Sequence, residues 1–174
     1  MLRSLVFIVI LLLGSTWLDA QGKQVRNAEL QSASVSLRRE NRCGMVSTDP
    51  TDLQQCPVYS VTISGDGMVT YEGWAGVKTL GKRSHRIKAE AVRSLIEEFV
   101  QANFFSMRER YEGQDVGDGT IRIVDHDDAT TIALSIRGKT RSIYNFYGAP
   151  AALERLERRI DEVSECYRYT GRIP

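Results

Sequence analysis

Apolar and polar positions along this chain follow two periods, and the changes between them divide the sequence into strand-like and helix-like blocks. Alternation begins in residues 34–39 (SVSLRR), where Val35 and Leu37 share one face. Residues 40–55 are rich in turn-forming and polar groups and predict a loop. The clearest strand signal follows. Residues 58–64 (VYSVTIS) and 68–74 (MVTYEGW) flank Gly65-Asp66-Gly67, a glycine-rich connection that predicts a β-hairpin. A second pair, 77–80 and 83–87, is expected to turn at Gly81-Lys82. The period then lengthens in residues 89–102. There Ala91, Val92, Leu95, Ile96, Phe99 and Val100 form one broad helical face, with Arg93, Glu97 and Glu98 on the other. Asn103 is placed to end this helix, and Phe104, Phe105 and Met107 to close over the core.

Residues 111–119 read as a loop, 120–124 and 130–137 as strands separated by 125–129, and 140–147 as a strand entered through Gly138-Lys139. Gly148-Ala149-Pro150 breaks the pattern, with Pro150 suited to the first turn of a helix. Residues 151–165 form that helix, with Leu153, Leu156, Ile160 and Val163 on its apolar face. The order of strands, helix, strands, helix predicts an α+β domain. Its expected form is an antiparallel sheet of hairpin-joined strands with two amphipathic helices packed on one face.

The N-terminus stands apart. Arg3 precedes an unbroken apolar run, Leu5 to Leu13, and a mixed segment that ends at Ala20. This order is that of a secretory signal peptide, and the run is much shorter than the ~20 apolar residues a spanning helix needs. The expected organisation is a signal peptide over 1–20, a flexible leader over 21–33, one domain over 34–165 and a polar tail over 166–174. An exported protein, periplasmic or extracellular, follows, with no stable membrane anchor after cleavage. The 174 residues suit one domain, and 23 basic against 22 acidic side chains leave a net charge of +1. Without a basic excess or stripe, no nucleic-acid partner is expected.

From Ser36 onward, a linked set of segments resembles a known family. These are Ser36-Leu37-Arg38-Arg39, Cys56-Pro57-Val58-Tyr59 leading into VTISGDGMVTYEG, Gly81-Lys82-Arg83, the helix AEAVRSLIEEFVQANFFSMRERY and the tract YGAPAALERLERRIDEV. Together they are similar to the domain-of-unknown-function family 6438 of secreted bacterial proteins, over about residues 34–165. The resemblance implies no activity, substrate, cofactor or catalytic residue. Members carry a Cys-x-x-x-Cys-Pro-x-Tyr pattern. Cys56 matches its second cysteine and Cys43 its first, but twelve residues intervene between them here.

The cysteines are Cys43, Cys56 and Cys166. In an oxidising compartment the expected state is a Cys43–Cys56 disulfide closing the loop, worth ~3 kcal/mol in the entropic account. A redox-active pair would need a low-pKa thiol, usually at a helix start with a two-residue gap, and this pair is widely spaced before a strand. Cys166 is left to pair with either partner or to remain a partly buried thiol.

Asp125, His126, Asp127 and Asp128 form the densest ligand-capable cluster, but four consecutive turn residues point in different directions, and a solvated turn is expected. His85 reads as a surface residue of a strand. Gly65-Asp66-Gly67 and Gly117-Asp118-Gly119 read as turns, since neither opens a helix as a phosphate cradle would. Glu154, Arg155, Glu157, Arg158, Arg159, Asp161 and Glu162 read as interleaved charges on the solvent side of the last helix. No metal and no cofactor is implied. The expected function is a non-catalytic binding or interaction module, with an envelope protein or a small ligand as partner. The alternatives are a hydrolase-type enzyme whose site assembles only in three dimensions, or a thiol–disulfide protein.

Overall fold

The computed structural model describes residues 29–41, 57–117, 120–122 and 128–171. The region read as a signal peptide, both Cys43 and Cys56, and Asp118, Gly119, Asp125, His126 and Asp127 lie outside these residues.

The fold is α+β. In chain order the strands are β1 (Ser34–Asn41), β2 (Val58–Ser64), β3 (Met68–Ala75), β4 (Gly81–Arg86), β5 (Arg110–Glu112), β6 (Gln114–Asp115), β7 (Ile121–Arg122), β8 (Asp128–Ile136) and β9 (Lys139–Tyr147). The helices are α1 (Ala89–Gln101), α2 (Ala151–Val163) and α3 (Tyr167–Thr170), with a 3-10 turn at Phe104–Ser106. Seven strands form one sheet in the order β4-β3-β2-β1-β8-β9-β5. Every pairing in it is antiparallel except β5 against β9. β6 and β7 form a separate two-stranded ribbon.

One face of the sheet is apolar. Val35 and Leu37 on β1, Val61 and Ile63 on β2, Val69 and Tyr71 on β3, Ile132 and Leu134 on β8, and Ile143 on β9 are all buried. Their strand parity and register place them in neighbouring rows. Val92, Leu95, Ile96 and Phe99 of α1 and Leu153, Leu156 and Ile160 of α2 belong to the same hydrophobic core. The two helices are joined at their polar edges by Arg159, whose Nε donates to both Glu98 carboxylate oxygens, at 3.1 and 3.0 Å. α1 ends at Gln101 with Ala102 as its C-cap, and Asn103 takes the left-handed conformation (φ 55°), which turns Phe104 inward onto Phe99. The β2–β3 turn runs through Gly65-Asp66-Gly67. A Cβ at Gly65 would lie 1.6 Å from the Leu30 carbonyl oxygen, and Gly67 sits at φ +86°, so both positions require glycine.

Several expectations are corrected. Residues 77–80 form no strand, because the N–H groups of Lys78 and Thr79 donate to the carbonyls of Thr170 and Tyr169 instead of to a sheet ladder. Gly81-Lys82 opens β4 and is not a turn between two strands. Tyr111, expected in a loop, lies in β5, which adds to the sheet edge beside β9. Three residues are too few to show a period. Residues 121–122 pair with β6 rather than with a neighbour in the main sheet. β8 starts at Asp128, so Asp128 and Ala129 belong to a strand and not to the preceding turn. The last long helix stops at Val163, with Glu165 in the left-handed region (φ 52°). Residues read as a polar tail form α3, which buries Thr170. Tyr169 there stacks on Tyr71 with ring centroids 4.9 Å apart. His85 is consequently not a surface strand residue. Its Nδ1 lies 3.2 Å from the Tyr169 hydroxyl, and its Nε2 is buried without a partner among the described residues.

Candidate functional site

The apolar rows of the sheet end in a polar one. Tyr59, Arg39, Thr130, Asn145 and Tyr111 stand side by side on β2, β1, β8, β9 and β5, in register and on the core-facing side. Strand parity forces this. Arg39 follows Val35 and Leu37 at a spacing of two, so the stripe that buries those side chains also turns the guanidinium inward. α2 lies against this row. Glu157 is four residues after Leu153 and three before Ile160, so it occupies a position within the buried stripe of the helix, and Asp161 follows one turn later.

Arg39 is the hub. Its Nε and Nη2 donate to Asp161 Oδ2 at 3.2 and 2.6 Å, and its Nη1 donates to Thr130 Oγ1 at 3.1 Å. Nε also lies 3.1 Å from the Tyr59 hydroxyl. That hydroxyl donates to Asp161 Oδ1 at 2.7 Å, and the Cys166 thiol donates to the same oxygen at 3.4 Å. Burial by itself would lower the Arg39 pKa, but the charges of Asp161, Tyr59 and Glu157 outweigh it and hold the guanidinium above its usual value. Burial, reinforced by the Asp161 carboxylate, pushes the Tyr59 phenol far above its ordinary range. The same two causes push the Cys166 thiol up to about 12. Cys166 is a buried thiol, more deeply buried than its sequence position suggests, and among the described residues it forms no disulfide.

Beside this closed network is an open one. A cleft of about 610 Å³ is lined by Arg39, Thr130, Asn145, Phe146, Tyr147, Gly148, Ala149, Glu154, Glu157 and Arg158. The corner from β9 into α2 forms one wall. Pro150 is the N-cap of α2 rather than its first helical residue. Glu157 is 7% exposed. Asn145 Nδ2 donates to its Oε1 at 2.8 Å. Its Oε2 forms a 4.0 Å ion pair with Arg39 Nη1, too long for a hydrogen bond. Burial raises the Glu157 pKa, and the neighbouring Glu154 and Asp161 charges add to the effect, against the opposing pull of Asn145 and Arg39.

The charges of α2 are thus not all solvated. Glu157 and Asp161 belong to the interior, Arg159 to the helix–helix seam, and Glu154 and Arg158 to the mouth of the cleft. Arg39, Thr130, Asn145, Glu157 and Asp161 were not singled out as site residues by the sequence pattern. The signal that marks the two acids is an acidic residue at an apolar-stripe position, and for Arg39 it is a cation continuing an inward-facing strand parity. Of the acidic cluster, Asp128 pairs through its backbone with Asn41. Among the described residues no group of three or more His, Cys, Asp or Glu could hold a metal ion.

The shifted Glu157 predicts a pH signature. In the unfolded chain this carboxyl titrates near 4.5, and in the folded protein it does so higher. Well below the lower value both states hold the proton. Between the two values only the folded state holds it, so stability falls as pH rises, and above the folded pKa the loss stays constant. Urea midpoints from about pH 4 to about pH 8 should show this decline in the native protein and lose it in Glu157→Gln. An unchanged profile in the variant would remove Glu157 as its source.

A search of curated proteins finds no match to the sequence. The family model described as "Domain of unknown function (DUF6438)" matches residues 53–164, which takes in β2 through α2 and so every strand of the sheet except β1, and with that match over more than half of its length the chain belongs to the DUF6438 family.

Proposed function

We propose that this chain is an exported, non-catalytic binding module, and that the cleft between β9 and α2 takes a small polar ligand. The observation that carries the reading is Glu157, a carboxylate held nine-tenths out of water beside an open cleft, with one oxygen hydrogen-bonded to Asn145 and the other held only by a 4.0 Å ion pair to Arg39. Burying a carboxylate is unfavourable by several kcal/mol unless it is fully partnered, so a bound group that completes its partners recovers part of that penalty. The cleft volume falls within the ~300–1,000 Å³ usual for ligand sites, and it combines two aromatic side chains with a few polar ones. Export rests on the apolar run from Leu5 to Leu13 and its flanks. Among the described residues no helix is long and apolar enough to cross a membrane. The reading places α1 and α2 together over one sheet face, so that α2 roofs the polar row and forms the rim of the cleft.

A hydrolase-type site is the second reading, favoured by the same raised Glu157 pKa, which a general acid requires. A ¹⁵N-labelled protein starting at Gln21, titrated with pooled sugars, amino acids, amines and organic acids, separates the two. Binding without turnover, with shifts concentrated at Thr130, Asn145, Gly148 and Ala149, is the expected result. Turnover abolished by Glu157→Gln would establish the enzyme instead. Shifts confined to other surfaces would overturn the assignment of the cleft.

A further inference from the structure

The geometry points to an organic cation, a protonated amine carried on an apolar or aromatic body, as the ligand class of this cleft, an inference that rests on the binding reading above. Three carboxylates, Glu154, Glu157 and Asp161, project from α2 at spacings of three and four, and so on one side of the helix. Asp161 is the one held by short charge-assisted hydrogen bonds. Asp161 takes two hydrogen bonds from Arg39, which also gives one to Thr130. Glu157 Oε2 has Arg39 Nη1 only at 4.0 Å, and Glu154, exposed at the mouth, forms no ion pair among the described residues. Arg39 is thus committed chiefly to Asp161 and Thr130, which leaves Glu157 only weakly paired and Glu154 without an ion pair among the described residues, both lining the cavity with Arg158.

An ammonium group meets that arrangement directly. It has three N–H donors and no acceptor. Glu157 Oε2 can accept one N–H hydrogen bond, the Asn145 side-chain amide that binds Oε1 lines the same cavity, and Glu154 supplies charge at the mouth. Phe146 and Tyr147 line the same cavity and offer aromatic surface to the body of the ligand and to its positive head. An anion would have to approach an ionised, buried Glu157, attracted by Arg158 at the rim and by an Arg39 already engaged with Asp161. A neutral alcohol could donate to Oε2 but would leave the charge uncompensated.

The groups facing Glu157 also set the pH dependence. They are Arg39 from β1, Asn145 from β9, and Glu154, Arg158 and Asp161 from α2 itself. The ammonium must meet an ionised Glu157, so affinity is expected to rise as pH is raised through the titration of that carboxyl and then to level off.

The test uses one ring carrying three head groups: benzylamine, benzyl alcohol and benzoate. Each is titrated into the ¹⁵N-labelled protein while the Asn145 side-chain amide is followed. Benzylamine is expected to shift that amide and to bind at least about tenfold more tightly than the other two, a difference of about 1.4 kcal/mol. Glu157→Gln should weaken it by at least tenfold. Glu154→Gln, an exposed change that leaves packing untouched, should weaken it two- to threefold and so keeps the test decisive if the first variant folds poorly. Equal or tighter binding of benzyl alcohol or benzoate at the cleft would overturn the cation assignment and leave the binding site standing. No shift at any cleft residue with any of the three, nor with the pooled ligands, would overturn both.

Discussion

Replacing Asp161 by alanine is expected to destabilise the protein by about 3 kcal/mol, because it leaves the largely buried Arg39 guanidinium without its hydrogen-bonded counter-ion and with only the more distant Glu157. Two Arg39 donors, the Tyr59 hydroxyl and the Cys166 thiol all converge on this carboxylate. Removing it therefore orphans several groups at once. Losing a surface pair would cost a few tenths of a kcal/mol, which decides between a structural and a decorative role. For a domain of this size, a loss of that order lowers the melting temperature by roughly 10 °C. The informative companion is the double variant Arg39→Met, Asp161→Leu, in which neither charge remains. It should recover part of the loss, since a well-packed apolar pair often replaces a buried ion pair at little or no expense, while the Tyr59 hydroxyl, Thr130 and Glu157 still lose a partner. Calorimetry of the single and double variants provides the check. A double variant as unstable as the single one would show that the network acts through shape and not through charge.

Phe99→Ala is expected to cost about 3–5 kcal/mol, and Val100→Ala next to it less than about 0.5 kcal/mol. Phe99 is completely buried, edge-on to Phe104 with centroids 4.8 Å apart, whereas Val100 is 63% exposed. Truncating the first opens a cavity between α1 and the 3-10 turn that follows it. Truncating the second removes atoms that water already touches. Urea denaturation of the two variants checks the pair. A comparable loss at both positions would mean that α1 sits rotated about its axis from the orientation described here.

These neighbours also show what could be read from the sequence. The spacing of Val92, Leu95, Ile96 and Phe99 identified the helix and its buried face, because a period of 3.6 is a property of the backbone. Val100 falls at the edge of the same arc, and only its neighbours decide whether such a residue is covered. The β2–β3 hairpin was legible for a similar reason, since glycine at positions 65 and 67 answers a local steric demand. β5 was not legible, because three residues can join a sheet only where another edge already waits. α3 was hidden for the same reason, as its hydrogen bonds to Lys78 and Thr79 join segments distant in sequence. The candidate site was legible only in outline. Glu157 and Asp161 sat in a run of charges that reads as solvated until the stripe of Leu153 and Ile160 is extended through it. Nothing local announced that Arg39, Thr130 and Asn145 would share one row, because register between strands is settled by packing.

The central place of β1 has a consequence for how the chain is made. One flank of β1 pairs with β2 soon after it in sequence, but the other waits for β8, with Arg39 and Thr130 separated by 91 positions. Until that stretch has been synthesised, the first four strands form half a sheet whose innermost strand offers an unsatisfied ladder to any extended polypeptide nearby. Once their later strands have been made, two such molecules can complete each other by exchanging them, giving an interlocked dimer with native pairings throughout. Crowded production therefore favours exchange, while dilution, or a chaperone that masks the waiting ladder, favours the monomer.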